Sequence, residues 1–144
     1  MSSFVLDTSV TMSWFFEDEA TPSSTAVLDS FRMSQALVPS LWPLEVANVM
    51  LVAERRGRTN EAKSSRFVAL LNSLPIVIDP ATADQALAAT LHLGRQFGLS
   101  SYDAAYLELA MRAGCPLATL DEKLRVAAEK CGVSLMVQKV GGGA

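Results

Sequence analysis

The chain has 144 residues, half of them hydrophobic and 19% charged, with a formal net charge of −3 at pH 7. This length suits one domain with a sizeable core, and the composition excludes a disordered or fibrous protein. The negative balance means that any polyanion must be held by a local basic patch or by bound cations.

In chain order, "SFVLD" reads as an apolar strand and "TSVTMSWFF" as a helix. Thr21-Pro22 opens a further helix, with Pro in the first turn, where its missing N–H costs nothing. "ALVP" is a second strand. A helix from Ser40 to Arg56 ends at Gly57, and Thr59 caps the next, through about Leu74. "PIVID" is a third strand. Asp79-Pro80 signals a helix start, and the alanine-rich stretch runs to Gly98. Ser100 or Ser101 opens "YDAAYLELAMRA", which Gly114 ends. "PLATL" is a fourth strand, "EKLRVAAEKC" a helix stopped by Gly132, and "SLMV" a fifth strand.

Strands alternating with helices imply a parallel sheet covered on both faces, because parallel neighbours need crossover connections. The expected fold is α/β, with five parallel strands in one domain over residues 1–140 and a flexible tail at 141–144. Ligands of such sheets bind outside the carboxyl ends of the strands. Two strands end there on aspartates, Asp7 and Asp121.

Taken singly, each of these aspartates reads first as a helix N-cap. Further acids change the balance. "WPLEVANVMLVAERR" is apolar around nearly its whole circumference except at Glu45 and Asn48, which are three apart on one face. An ionised Glu on such a helix is costly without a counter-charge, although a first-turn position beside the helix dipole is an alternative. In "SSYDAAYLELAMRAG", Glu108 and Arg112 pair at i,i+4. Asp103 points elsewhere, over Tyr106, Leu107 and Ala110, with a capping role equally open.

Two carboxylates 4 Å apart repel by about 4 kcal/mol at an effective dielectric near 20, so convergence of four requires a cation. All-oxygen ligands select a hard ion, Mg2+ or Mn2+. Two cysteines and a single histidine supply too few ligands for zinc. They also offer no credible Ser-His or Cys-His nucleophile pair. A divalent ion activates water and polarises a phosphoryl oxygen, which suits phosphodiester hydrolysis. Ser9 and Thr119 are placed to orient a carboxylate or a metal-bound water, with capping and strand packing as the alternative readings.

The motifs "FVLDTSV", "PLEVANVM", "SSYDAAYLELA" and "PLATLDEKLRVAAEKCGV", in this order, resemble PIN-domain ribonucleases, specifically VapC-like toxins of toxin-antitoxin operons. The likeness spans Phe4 to about Val137. It implies a three-layer α/β/α sandwich and a Mg2+-dependent endoribonuclease whose acidic quartet falls on Asp7, Glu45, Asp103 and Asp121, with Asn48 and Thr119 in support. It further implies a homodimer and a cognate antitoxin that silences the enzyme. Some relatives carry another acid two places after the last aspartate, where this chain has Lys123. That substitution puts a second metal ion in doubt.

"ERRGR", with Arg55, Arg56 and Arg58, is a candidate RNA-phosphate patch or an ordinary solvated helix end. Asp79, followed by Pro80, reads as a cap outside the quartet. "EDE" at 17–19 reads as a solvated loop, and Trp14, Phe15, Phe16 and Trp42 as core or interface. Cys115 and Cys131 are expected to be free thiols. No apolar run approaches the roughly 18 residues of a membrane span, and the start lacks the basic stretch of a signal peptide, so a cytoplasmic location is expected.

Competing readings are a metal-dependent DNA nuclease or phosphatase on the same fold, and a non-catalytic binding module. A receiver-type signalling domain would need paired acids after the first strand, which "VLDTS" lacks.

Overall fold

The computed structural model describes residues 2–136. Strand β1 (Ser2–Leu6) lies between β2 (Ser34–Val38) and β4 (Leu117–Ala118), and β3 (Ile76–Ile78) forms the outer edge beside β2. All pairings are parallel, with Phe4 opposite Ala36, Ala36 opposite Ile76 and Leu6 opposite Ala118. Successive strand side chains point to opposite faces. Phe4, Val5 and Leu6 are nevertheless all buried, so helices cover both faces of β1 and the layering is α/β/α. The edge strand behaves differently, with Val77 and Ile78 exposed.

Eight helices connect and flank the strands among the described residues: α1 (Thr8–Ser13), α2 (Pro22–Asp29), α3 (Trp42–Arg55), α4 (Glu61–Ser73), α5 (Thr82–Gln85), α6 (Leu91–Phe97), α7 (Ser101–Ala113) and α8 (Glu122–Lys130). Thr21 and Ser24 form the reciprocal capping box at α2, and Ser100 caps α7 by accepting from the Asp103 N–H at 3.1 Å. The cap of α4 is Asn60, which accepts from the Lys63 N–H at 3.0 Å, and not Thr59 as expected. The alanine-rich stretch is interrupted by a wide π turn at Ala86–Thr90, and Gly98 then closes α6 in the left-handed region at φ +64°.

Three other expectations are corrected. Among the described residues the sheet has four strands, not five. At the fifth position Leu135 alone bridges to Leu117, through hydrogen bonds from Leu117 N–H to Ser134 C=O (2.9 Å) and from Met136 N–H to Leu117 C=O (3.0 Å). Val137 and the tail at 141–144 lie outside the described residues. Next, β4 stops at Ala118 because the following N–H groups are claimed by hydroxyls: Leu120 N–H donates to Ser9 Oγ (2.9 Å) and Asp121 N–H to Thr119 Oγ1 (3.0 Å). Finally, α3 is not buried all round. It packs through Trp42, Val46, Met50 and Ala53 but exposes Leu44 at 75% and Leu51 at 46%.

The aromatic residues after α1 serve the core. Phe15 meets Phe16 edge-on and packs at a tilt against Phe67, Trp14 meets Phe31 edge-on, and the Trp42 indole N–H donates to Thr11 Oγ1 at 3.0 Å. Cys115 and Cys131 are free thiols, and burial pushes both up from the ordinary thiol value. No helix among the described residues is long and apolar enough to cross a membrane.

Asp79 does accept from the Ala81 N–H at 3.2 Å, as a cap would. It has a second partner as well. Arg112 donates to both Asp79 oxygens (3.1 and 2.6 Å) and to both oxygens of Glu108 (2.9 and 2.8 Å). This clasp ties the β3 edge to the C-terminal half of α7, with both acids buried. Arg112 holds the Asp79 carboxyl below its ordinary value, so the stabilisation is present above that value and is lost as pH falls through the lowered one.

Removing the guanidinium strands two buried acids. Arg112→Met is therefore expected to cost about 3 kcal/mol at pH 7 in urea unfolding, with the deficit narrowing below about pH 4 as Asp79 protonates. A deficit independent of pH would show that the clasp is only packing.

Candidate active site

Asp7 stands where β1 passes into α1. Its position is that of an N-cap, yet its side chain makes no capping hydrogen bond. Instead Thr119 Oγ1 donates to Asp7 Oδ2 at 2.6 Å and Ser9 Oγ donates to the same oxygen at 2.7 Å. Oδ1 accepts neither. Ser9 and Thr119, both expected as orienting hydroxyls, thus hold one carboxylate from two adjacent strand ends. Asp7 is 5% exposed, and burial raises its pKa from 3.8 to about 6. The two hydroxyls oppose that rise, while the charges of Asp103 and Glu45 add to it.

Glu45 projects from the first turn of α3. Its Oε1 accepts from Tyr106 Oη at 2.5 Å and from Thr8 Oγ1 at 3.0 Å, and the two hydroxyls lie 2.8 Å apart. Neither Tyr106 nor Thr8 is anticipated from the sequence as a site residue. The available signal is that Tyr106 follows Asp103 by three on the same face of α7.

Asp103 lies in the first turn of α7. Desolvation, and then the like charges of Asp121 and Glu45, push it up from its ordinary value, and Lys123 pulls it down. Asp121 does cap α8, its Oδ1 accepting from the Leu124 N–H at 2.8 Å, and this leaves Oδ2 without a part in the cap.

At the carboxyl end of the sheet the fold brings Asp103 within electrostatic reach of Asp7, Glu45 and Asp121, and Asp7 within reach of Glu45. It does not close them into a cage: among the described residues, no group of three or more His, Cys, Asp or Glu stands ready to hold an ion. Asn48 and the arginines are not drawn in. Asn48 is exposed on α3, in a shallow cleft of about 220 Å³ with Phe16, Val52 and Arg56. Arg58 is engaged by Asp18 (3.0 Å) and Glu19 (2.8 Å) and lies 3.8 Å above the Phe16 ring. Residues 17–19 are thus a short 3₁₀ turn that holds an arginine. Arg55 and Arg56 remain exposed, about 15 Å along α3 from Glu45 at 1.5 Å per residue.

The PIN domain family model matches residues 4–130. The chain belongs to the PIN domain family. Among solved structures it is similar to PAE2754 from Pyrobaculum aerophilum, with a TM-score of 0.65 and 20% identity over 88% of this chain and 84% of that one. VapBC2 from Rickettsia felis, bound to a DNA fragment from its promoter, gives 0.61 and 15% over 92% and 96%. FitAcB from Neisseria gonorrhoeae gives 0.61 and 17% over 92% and 95%. These likenesses establish the fold. Curated protein sequences give no match.

PIN domains are nucleases that generally depend on a divalent metal, and the donor set of this PIN domain fits such an ion. Every candidate ligand is a carboxylate, and no imidazole or thiolate is among them. Asp7 Oδ1, Glu45 Oε2 and Asp121 Oδ2 take no part in the hydrogen bonds that fix their side chains. Acids that are not closed into a cage suit an ion that keeps several of its waters and takes only one or two carboxylates directly.

Because Asp7 titrates higher folded than unfolded, the folded state binds the extra proton between pH 3.8 and about 6. Stability is therefore lost as pH rises through that window. Metal-free Asp7→Asn is expected to unfold at higher temperature than the parent at pH 7, by up to about 3 kcal/mol, and to match it below pH 4. A loss of stability at pH 7 would assign Asp7 a structural role.

Proposed function

We propose that this PIN domain is a Mg2+-dependent endoribonuclease, the VapC-like toxin of a toxin-antitoxin pair. The observation that carries the reading is the Asp7 carboxylate. It is desolvated at a strand end, unused as a cap, oriented by two hydroxyls and within reach of the charges of Asp103 and Glu45. A fold maintains such an arrangement at a cost in stability, which is typical of functional sites.

Asp7, Glu45, Asp103 and Asp121 are the residues that would hold Mg2+, with Mn2+ as a substitute. The ion's chemistry is to lower the pKa of water and to polarise a phosphoryl oxygen. The chain's own groups prepare that site. Ser9 and Thr119 keep Asp7 in one orientation, Thr8 and Tyr106 do the same for Glu45, and the α8 cap locks Asp121. Lys123, which draws Asp103 down, supplies positive charge beside the acids, and the exposed Arg55 and Arg56, about 15 Å along α3 from Glu45, offer a more distant hold for a polyanion.

With Mg2+, the protein is expected to cut RNA to 5′-phosphate and 3′-hydroxyl ends, and Asp7→Asn to lower the rate at least about 100-fold. Parallel assays on RNA, single-stranded DNA and a small phosphate ester test the substrate class. Undiminished RNA cleavage in excess EDTA overturns the reading, and cleavage of DNA alone replaces it with a DNA nuclease.

The antitoxin is supported by the similarity to VapBC2 of Rickettsia felis and by apolar surface on α3 and α4, where Leu51, Val68 and Leu70 are exposed. Met33 and Leu87, exposed at 78% and 88%, supply apolar surface for a homodimer. Co-expression with the product of the adjacent open reading frame is expected to yield a copurifying complex with suppressed RNA cleavage. Repeated failure of the two to associate counts against the toxin assignment and leaves the nuclease intact.

A further inference from the structure

We propose that Tyr106 is a positioning residue of the acidic cleft. Its phenolic hydroxyl, together with that of Thr8, holds Oε1 of Glu45 so that Oε2 is left for a divalent cation. This rests on the reading of the quartet as a metal site and adds to it two residues from different helices.

The packing role of Tyr106 belongs to its ring. The residue is 0% exposed, and a phenylalanine would fill the same space. The hydroxyl is what reaches Glu45, 61 residues away, at 2.5 Å. A phenol has one proton, and here it goes to the carboxylate. The 2.8 Å contact with Thr8 therefore places Thr8 as its donor, and the Thr8 proton is divided between Tyr106 Oη and Glu45 Oε1, which lies 3.0 Å from Thr8 Oγ1. Both donors converge on one carboxylate oxygen.

The need for such a hold follows from the neighbours. Glutamate has three rotatable side-chain bonds, and Glu45 acts as a like charge on both Asp7 and Asp103. Left free, it would swing toward solvent, gaining rotamer entropy and reducing repulsion. Donors from α1 and α7 keep it in the cleft. Partners that orient a ligating group in this way typically affect metal affinity tenfold or more. Because Tyr106 follows Asp103 by three, α7 both supplies one acid and fixes another.

The test is calorimetric titration of the metal-free protein with Mn2+ alone, comparing the parent with Tyr106→Phe. The variant is expected to bind at least about tenfold more weakly, and its kcat on RNA is expected to fall while KM is unchanged. In a Glu45→Gln background the same substitution is expected to change Mn2+ affinity by less than about twofold, because contacting residues are non-additive. Equal affinity in parent and Tyr106→Phe, or an equal loss in both backgrounds, overturns the proposal. A parent that binds no Mn2+ overturns the metal-site reading as well, which separates the two failures. Should Tyr106→Phe not fold, Thr8→Val removes the second donor and carries the same comparison.

Discussion

The hydrogen bond from Thr119 to Asp7, 2.6 Å long and joining residues 112 apart, is the constraint on which the candidate site depends. It exists only because β4 lies beside β1 in parallel, so that both strands deliver their ends to the same rim. Parallel pairing is achieved through crossovers, and every intervening helix in effect serves this adjacency. The same threonine accepts from the Asp121 N–H and Ser9 accepts from the Leu120 N–H. Together they end the β4 ladder and turn the chain outward into α8. Two hydroxyls thus orient one acid and, by stopping a strand, deliver another.

This arrangement opposes stability locally. Among the described residues Asp7 is buried without a cationic partner, and the hydroxyls only partly offset its desolvation. Elsewhere the protein treats buried acids differently. Asp79 and Glu108 are also buried, but Arg112 neutralises them through four hydrogen bonds. Two solutions to one electrostatic problem stand at opposite ends of α7. At the C-terminal end the acids are paired and structural, and at the N-terminal end Asp103 and Asp7 make no ion pair within 4.0 Å among the described residues, an arrangement that would suit a bound cation under the proposed function.

Much of this is legible in the residues. The alternation of strands and helices, the glycine at the end of α6 and the caps at Thr21 and Ser100 follow from local chemistry. So does the suspicion that Asp7, Glu45, Asp103 and Asp121 share a rim, because strand ends and helix starts fall together in a parallel sheet. What escapes depends on tertiary contact. "PLATL" has the composition of a five-residue strand, and nothing local shows that hydroxyls will take its N–H groups after Ala118. Arg112 reads as the i,i+4 partner of Glu108, which it is, but its second carboxylate is 33 residues away. Tyr106 reads as core, which its ring is, while its hydroxyl answers to a glutamate on another helix. The apolar circumference of α3 suggests burial, yet Leu44 and Leu51 remain exposed, since the chain alone does not surround that helix.

The open state of the cleft has a consequence for how a substrate would approach. Four acids repel a phosphodiester, the net charge of −3 does not compensate, and of the three arginines at and just beyond the end of α3, Arg58 is already held by Asp18 and Glu19. Under the proposed function, a divalent ion would therefore have two tasks before any bond is broken: drawing the carboxylates together and reversing the sign of the potential that the substrate meets. A rigid, closely packed set of acids would make the first task easier but would impose its repulsion on the ion-free protein throughout. Holding Asp7, Glu45 and Asp121 each by one oxygen, through hydroxyls or a helix N-terminus, is the intermediate solution. The side chains are oriented while their charges remain apart, and the final approach is left to the cation.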